Sequence, residues 1–302
     1  MPLIEVRNLR KEYPGHVAVA DVSFDVEEGE IFGVLGPNGA GKTTAVECVE
    51  GLRKRDGGRV GVMGLDPLHD TAELRQSIGV QLQQSELPPR LKVREALELY
   101  GSFYRDPADW RELLEDWGLA EKADASYESL SGGQRQRLSI ALALVGKPRI
   151  AVFDELTTAL DPHARRETWK LIEKVRSQNV TVLLVTHFME EAERLCDRIA
   201  IIKGGRVVAL DTPSGLVSQV SDEQVIRFVP SVPVKEELLM PLPEVTRMTR
   251  SGSRITVVGR GNVLYSVISV LARNRIVANE LRLEQPSLDD AFVALTGSQP
   301  AG

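Results

Sequence analysis

Gly36-Pro37-Asn38-Gly39-Ala40-Gly41-Lys42-Thr43-Thr44 is the stretch on which the fold turns. Gly36, Gly41, Lys42 and Thr43 stand at the fixed places of a G-x-x-x-x-G-K-[ST] phosphate loop. Residues 30–35 before it read as a short apolar strand, and residues 43–52 after it as a helix. Glycines without Cβ let backbone N–H groups curl around an anion, and the helix start adds about half a positive charge. Lys42 is expected to reach the β- and γ-phosphates of a nucleotide, and the Thr43 hydroxyl to ligate Mg²⁺.

The acidic counterpart lies downstream. Residues 149–155, Arg-Ile-Ala-Val-Phe-Asp-Glu, are an apolar run ending in two carboxylates, the pattern of a buried parallel strand that opens on a site. Asp154 is expected to hold Mg²⁺ through water, and Glu155 to orient or deprotonate the attacking water. Just before that run, residues 130–137 read LSGGQRQR. Ser131 has the chemistry to cap a helix over residues 132–145, aiming its N-terminus at an anion.

The order GPNGAGKTT, Gln83, LSGGQRQR, AVFDE, TALD and His187 resembles the ATP-binding subunits of ABC transporters over roughly the first 215 residues. The resemblance implies a P-loop α/β fold with a mixed sheet core, an antiparallel β subdomain and an inserted helical subdomain at about 88–147. It implies that Tyr13 stacks on adenine and that Gln83 senses Mg²⁺ and the γ-phosphate. Ser131, Gly132, Gly133 and Gln134 match the signature that contacts ATP held by a second subunit. Asp161 matches the loop residue that links the two sites, and His187 the switch histidine. His16, His69 and His163 have no such placement. Leu156 replaces the proline usual after the acidic pair, and Thr158-Ala159 stands where serine with glycine or alanine is common. The cofactors implied are ATP and Mg²⁺, and the partners a membrane permease and a second ATP-binding subunit, a homodimer being expected.

Composition agrees with a peripheral ATPase on the cytoplasmic face of a membrane. The 302 residues are enough for more than one domain, and a formal charge of -6 argues against nucleic acid as the partner. Cys48 and Cys196 are too isolated for a disulfide framework or a metal site. No apolar run approaches the roughly 18 residues of a membrane span, and no leader segment is read at the start.

Strands are expected at residues 4–10 and 22–26, as a small antiparallel sheet. Helices follow at 93–104 and 110–119, with Trp110 and Trp117 in the core, before strands and helices alternate to residue 210. The cassette is taken as 1–220, and 221–302 as a second α+β domain of order β-α-β-β-α-β, ferredoxin-like or split βαβ. Its ending, QPSLDDAFVALTG, resembles the daunorubicin-resistance branch of drug exporters. That tail favours export of a drug-like or lipid-like substrate over an importer. A single set of motifs without a coiled-coil insert speaks against a DNA-repair or translation ATPase.

Overall fold

The computed structural model describes residues 2–81, 87–158, 160–220, 223–284 and 286–297. The chain divides into two compact units, one of Met1–Pro213 together with Thr296–Gly302, the other of Ser214–Leu295. In the first, β1 (Ile4–Tyr13), β2 (His16–Val26) and β3 (Ile31–Leu35) lead to helix α1 (Lys42–Val49). Then come β4 (Gly57–Val62), α2 (Thr71–Leu74), β5 (Ile78–Gln81), α3 (Val93–Gly101), α4 (Trp110–Asp116) and α5 (Gly132–Leu144). The rest alternates as β6 (Ile150–Asp154), α6 (Pro162–Ser177), β7 (Thr181–Val185), α7 (Met189–Leu195), β8 (Arg198–Lys203) and β9 (Arg206–Asp211).

Among the described residues these strands form one nine-stranded sheet, in the order β4-β1-β2-β9-β8-β3-β7-β6-β5. β8, β3, β7, β6 and β5 run parallel. Every residue of β3, β6 and β7 is buried, which is why each reads as a continuous apolar run rather than an alternation. The antiparallel strands were expected as a small sheet of their own. Instead β2 joins the main sheet, pairing parallel with β9 at Asp21 and Arg206. β1 and β2 also outrun their expected spans, because Gly15 (φ +77°) closes a tight hairpin that pairs Tyr13 with His16.

The helical insert packs on the edge of the parallel sheet. Gly79 on β5 lies so close to α5 that a Cβ there would overlap the Ala143 carbonyl. Trp117 is buried as expected, but Trp110 is not a core residue. It opens α4 directly after the Asp109 cap, half-exposed, with the Arg111 guanidinium 4.3 Å from its ring centroid.

Helix α8 (Pro213–Val220) falls at the boundary with the second unit. That unit contains β10 (Glu223–Pro230), β11 (Val245–Ser251), β12 (Arg254–Arg260), α9 (Val263–Arg273), β13 (Ala278–Glu284) and α10 (Leu288–Thr296). Its sheet is antiparallel throughout, ordered β11-β12-β10-β13, the strand arrangement of a ferredoxin-like module. Val263, Val267 and Leu271, spaced by four on α9, bury one helix face in a core with Ile226, Phe228 and Val257. The helix expected at 235–240 is only a 3₁₀ turn, Glu236–Leu238. Pro241 and Pro243 follow at once and supply no N–H to continue it.

Candidate functional site

Parallel register assembles the site. Val34 of β3 pairs with Val185 of β7, and Val185 with Asp154 of β6. The chain leaving all three strands therefore emerges at one sheet edge, where open α/β sheets bind ligands. After β3 the phosphate loop turns through Gly39 (φ +75°) and Gly41 (φ +98°). Gly41 caps α1 in the left-handed region, and a Cβ there would strike the Ala18 carbonyl, so glycine is required twice over. Lys42 is buried, its Nζ donating to Gly36 O at 2.8 Å and Pro37 O at 3.2 Å. Burial pulls its ammonium below the usual lysine range, while Glu155 and Asp154 act to hold it up.

Asp154 ends β6 almost fully buried. Burial first, then the Glu155 charge, push its carboxyl up to about 6, against a hydrogen bond from Thr43 and the charge of Lys42. Its Oδ1 has no hydrogen-bond partner among the described residues. Glu155 follows at φ +50°, a left-handed conformation that costs a non-glycine residue about 1–2 kcal/mol. Its N–H donates to Val185 O at 2.9 Å, pinning the turn. Its Oε1 lies 3.3 Å from His187 Nδ1, and Thr158 Oγ1 donates to its Oε2 at 3.5 Å.

These groups surround an open cleft of about 640 Å³, lined by Tyr13, His16, Ala18, Asn38–Thr44, Glu155, Thr158 and His187. Tyr13 stands at the end of β1, with Lys11 Nζ and the Arg53 guanidinium 5.4 and 5.5 Å from its ring centroid. His16 and Thr158 were missed by sequence reasoning. The Pro14-Gly15 turn was the signal for His16, since a two-residue hairpin places it opposite Tyr13. Gln83 lies outside the described residues.

Behind α1, Glu50 is buried. Burial first, then the charges of Asp154 and Glu47, push its carboxyl up to about 8. As pH rises from 4.5 towards 8, the unfolded chain releases this proton while the folded chain keeps it, so stability falls across that window. Glu50→Gln should therefore raise stability by about 4 kcal/mol at pH 7.5 and change it little near pH 4.5. Denaturant unfolding at the two pH values checks this; an equal effect at both would refute the assignment.

Ser131 lies away from the cleft, exposed at the start of α5. Its Oγ accepts from Gln134 N at 3.3 Å, and Gln134 Oε1 accepts from Ser131 N at 3.0 Å, a complete capping box. A Cβ on Gly132 or Gly133 would meet nothing within 4 Å, and neither has a positive φ. Glycine in a helix costs about 1 kcal/mol relative to alanine, and no packing within this chain requires it here. Asp161 caps α6, its Oδ1 accepting from His163 N at 2.9 Å and Ala164 N at 3.0 Å. Those two backbone hydrogen bonds hold its carboxyl below the usual range.

Residues 19–158 match the family described as ABC transporter. Over 310 residues the chain is 36% identical to the Nod factor export ATP-binding protein I of Rhizobium etli, covering 99% of this chain and 95% of that protein. The chain belongs to the ABC transporter ATP-binding family. Another ABC relative, the linearmycin resistance ATP-binding protein of Bacillus subtilis, is 32% identical over 307 residues, 98% of each chain. A solved ATP-binding cassette, dimeric in a post-hydrolysis state with ADP and Pi, matches with a TM-score of 0.62 and 30% identity, covering 69% of this chain and 98% of that one. The chain is thus an ABC-type transport ATPase, which binds and hydrolyses ATP on the α/β fold that its motifs implied.

Proposed function

We propose that this ABC ATPase powers export through a separate membrane permease, two copies closing head to tail around ATP. The supporting observation is the pair Gly132-Gly133, exposed beside a capped helix start with no steric or conformational need for glycine inside the chain. Such a surface suits close approach by something outside, and the helix start favours an anion. ATP seated on the phosphate loop of one copy would meet Ser131, Gly132 and Gly133 of the other.

Within one copy, Lys42 and the loop N–H groups would neutralise the triphosphate, and Tyr13 would stack on the base. Glu155, held in its turn and facing His187, would take the proton of the attacking water. The Thr43 hydroxyl and the unpartnered Asp154 Oδ1 fit a Mg²⁺ ion, which when bound offsets phosphate charge. No group of three or more His, Cys, Asp and Glu assembles among the described residues. Nucleotide and water would supply further ligands.

No helix among the described residues is long and apolar enough to cross a membrane, so the transport path would lie in the partner. A largely apolar cavity of about 190 Å³, lined by Leu52, Val80, Leu87, Tyr100, Leu138 and Leu142 among others, could seat an apolar side chain from that permease. Docking there would hold the ATPase at the cytoplasmic face. Export is preferred because the relatives matched along nearly the whole chain are named for export and for antibiotic resistance.

Ser131→Arg tests the head-to-tail arrangement. The added side chain should block closure while ATP affinity of the lone chain stays within about twofold, because the phosphate loop is untouched. Light scattering with ATP checks it, and a dimer that still forms would count against the arrangement.

A further inference from the structure

Phe188, directly after the site histidine, is held from two directions. Its ring lies against His187, centroids 4.2 Å apart and planes at 39°. The Arg165 guanidinium carbon sits 3.7 Å from the Phe188 ring centroid. Arg165 belongs to the first turn of α6, its N–H donating to Asp161 O at 2.9 Å. Its Nε is buried with no hydrogen-bond partner among the described residues, so the aromatic face is a principal contact of that charge. Beside the pair, Glu191 of α7 is fully buried and accepts from Trp169 Nε1 of α6 at 3.0 Å. The Arg165 charge acts on that carboxylate too.

These contacts join two segments far apart in sequence. One runs from Asp161 into α6; the other carries His187 out of β7 into α7. We propose that Phe188 and Arg165 are positioning residues, a cation–ring clamp that aligns His187 with Glu155 and makes its loop move together with the Asp161 helix start. The inference rests on the reading of the cleft as the ATPase site. A packing-only role predicts something different. Phe188 is only half-buried, so leucine would replace most of its apolar contact, yet leucine has no π face for the guanidinium or the imidazole.

The test is steady-state ATPase kinetics of the full chain carrying Phe188→Leu, Phe188→Tyr, Arg165→Met, Arg165→Lys and the F188L/R165M and F188L/R165K pairs. F188L and R165M should each lower kcat about tenfold with KM for ATP within about twofold, the signature of lost alignment rather than lost binding. F188Y, which keeps the ring, should stay within about twofold of wild type. The double variant should be no slower than the slower single one, because both break one contact. R165K should recover most of kcat when Phe188 is present and none when it is leucine, an arm that stands even if R165M does not fold.

Wild-type kcat in F188L, equal losses in F188L and F188Y, or a double loss of about a hundredfold, the product of the singles, would each overturn the clamp. Turnover that survives Glu155→Gln would instead overturn the reading of the site. Turnover that needs Glu155 but ignores Phe188→Leu overturns the clamp alone.

Discussion

Glu155→Gln is expected to lower ATP turnover by about 10³-fold while ATP binding persists, since general-base catalysis typically contributes 10²–10⁴. The amide keeps the side chain's size and its oxygen, so the contacts with His187 Nδ1 and Thr158 Oγ1 can survive in altered form. What is lost is the ability to take a proton from water. Phosphate binding is left to Lys42 and the loop backbone, which do not touch residue 155's role. ATP should therefore accumulate in a closed pair that no longer reopens. Single-turnover kinetics and light scattering read the two halves of this result. Hydrolysis at the wild-type rate would remove Glu155 from the mechanism. Loss of ATP binding would show that the substitution damages the cleft itself.

Lys42→Ala should act one step earlier, on binding. A charge-assisted hydrogen bond contributes about 1.5–3 kcal/mol, and two of them to the triphosphate correspond to about 10²–10⁴ in Kd. The same side chain bridges Gly36 O and Pro37 O and lies within the field of Asp154 and Glu155. Its removal leaves Asp154 and Glu155 without a cation whose charge acts on both, which further disfavours a bound polyanion. Lys42→Arg should not rescue, because a bulkier planar fork does not match a buried point contact between two carbonyls. Calorimetric titration with Mg-ATP decides this, and unchanged affinity for K42A would defeat the phosphate-loop assignment.

Much of the site was legible because its chemistry is local. The spacing of Gly36, Gly41, Lys42 and Thr43 dictates a loop whose backbone must curl, and left-handed φ at Gly39 and Gly41 is what glycine permits. Ser131 and Gln134 form a capping box within four residues, so it too can be read from the chain. Apolar runs at β3, β6 and β7 announced buried parallel strands. Less legible was anything that depends on a distant neighbour. Trp110 fits the same helical spacing as Trp117, and only packing distinguishes the half-exposed ring from the buried one. The helix expected at 235–240 shrank to a single turn because prolines close behind it outweighed its periodicity.

By itself the sequence determined which groups are available: a phosphate loop, a carboxylate pair after an apolar strand, a second glycine-rich helix start, and the four strands of the tail. Tertiary structure alone decided that Thr158 enters the cleft beside Lys42, Glu155 and His187, and that Glu155 adopts a left-handed turn. It also decided that Phe188 lies between His187 and Arg165, and that Asp154 and Glu50 are buried enough to be pushed up. The reason is range. Backbone conformation and capping are set within a few residues, whereas sheet order, register and desolvation arise from segments tens to more than a hundred positions apart, as in the Arg165–Phe188 contact and the pairing of β3 with β7.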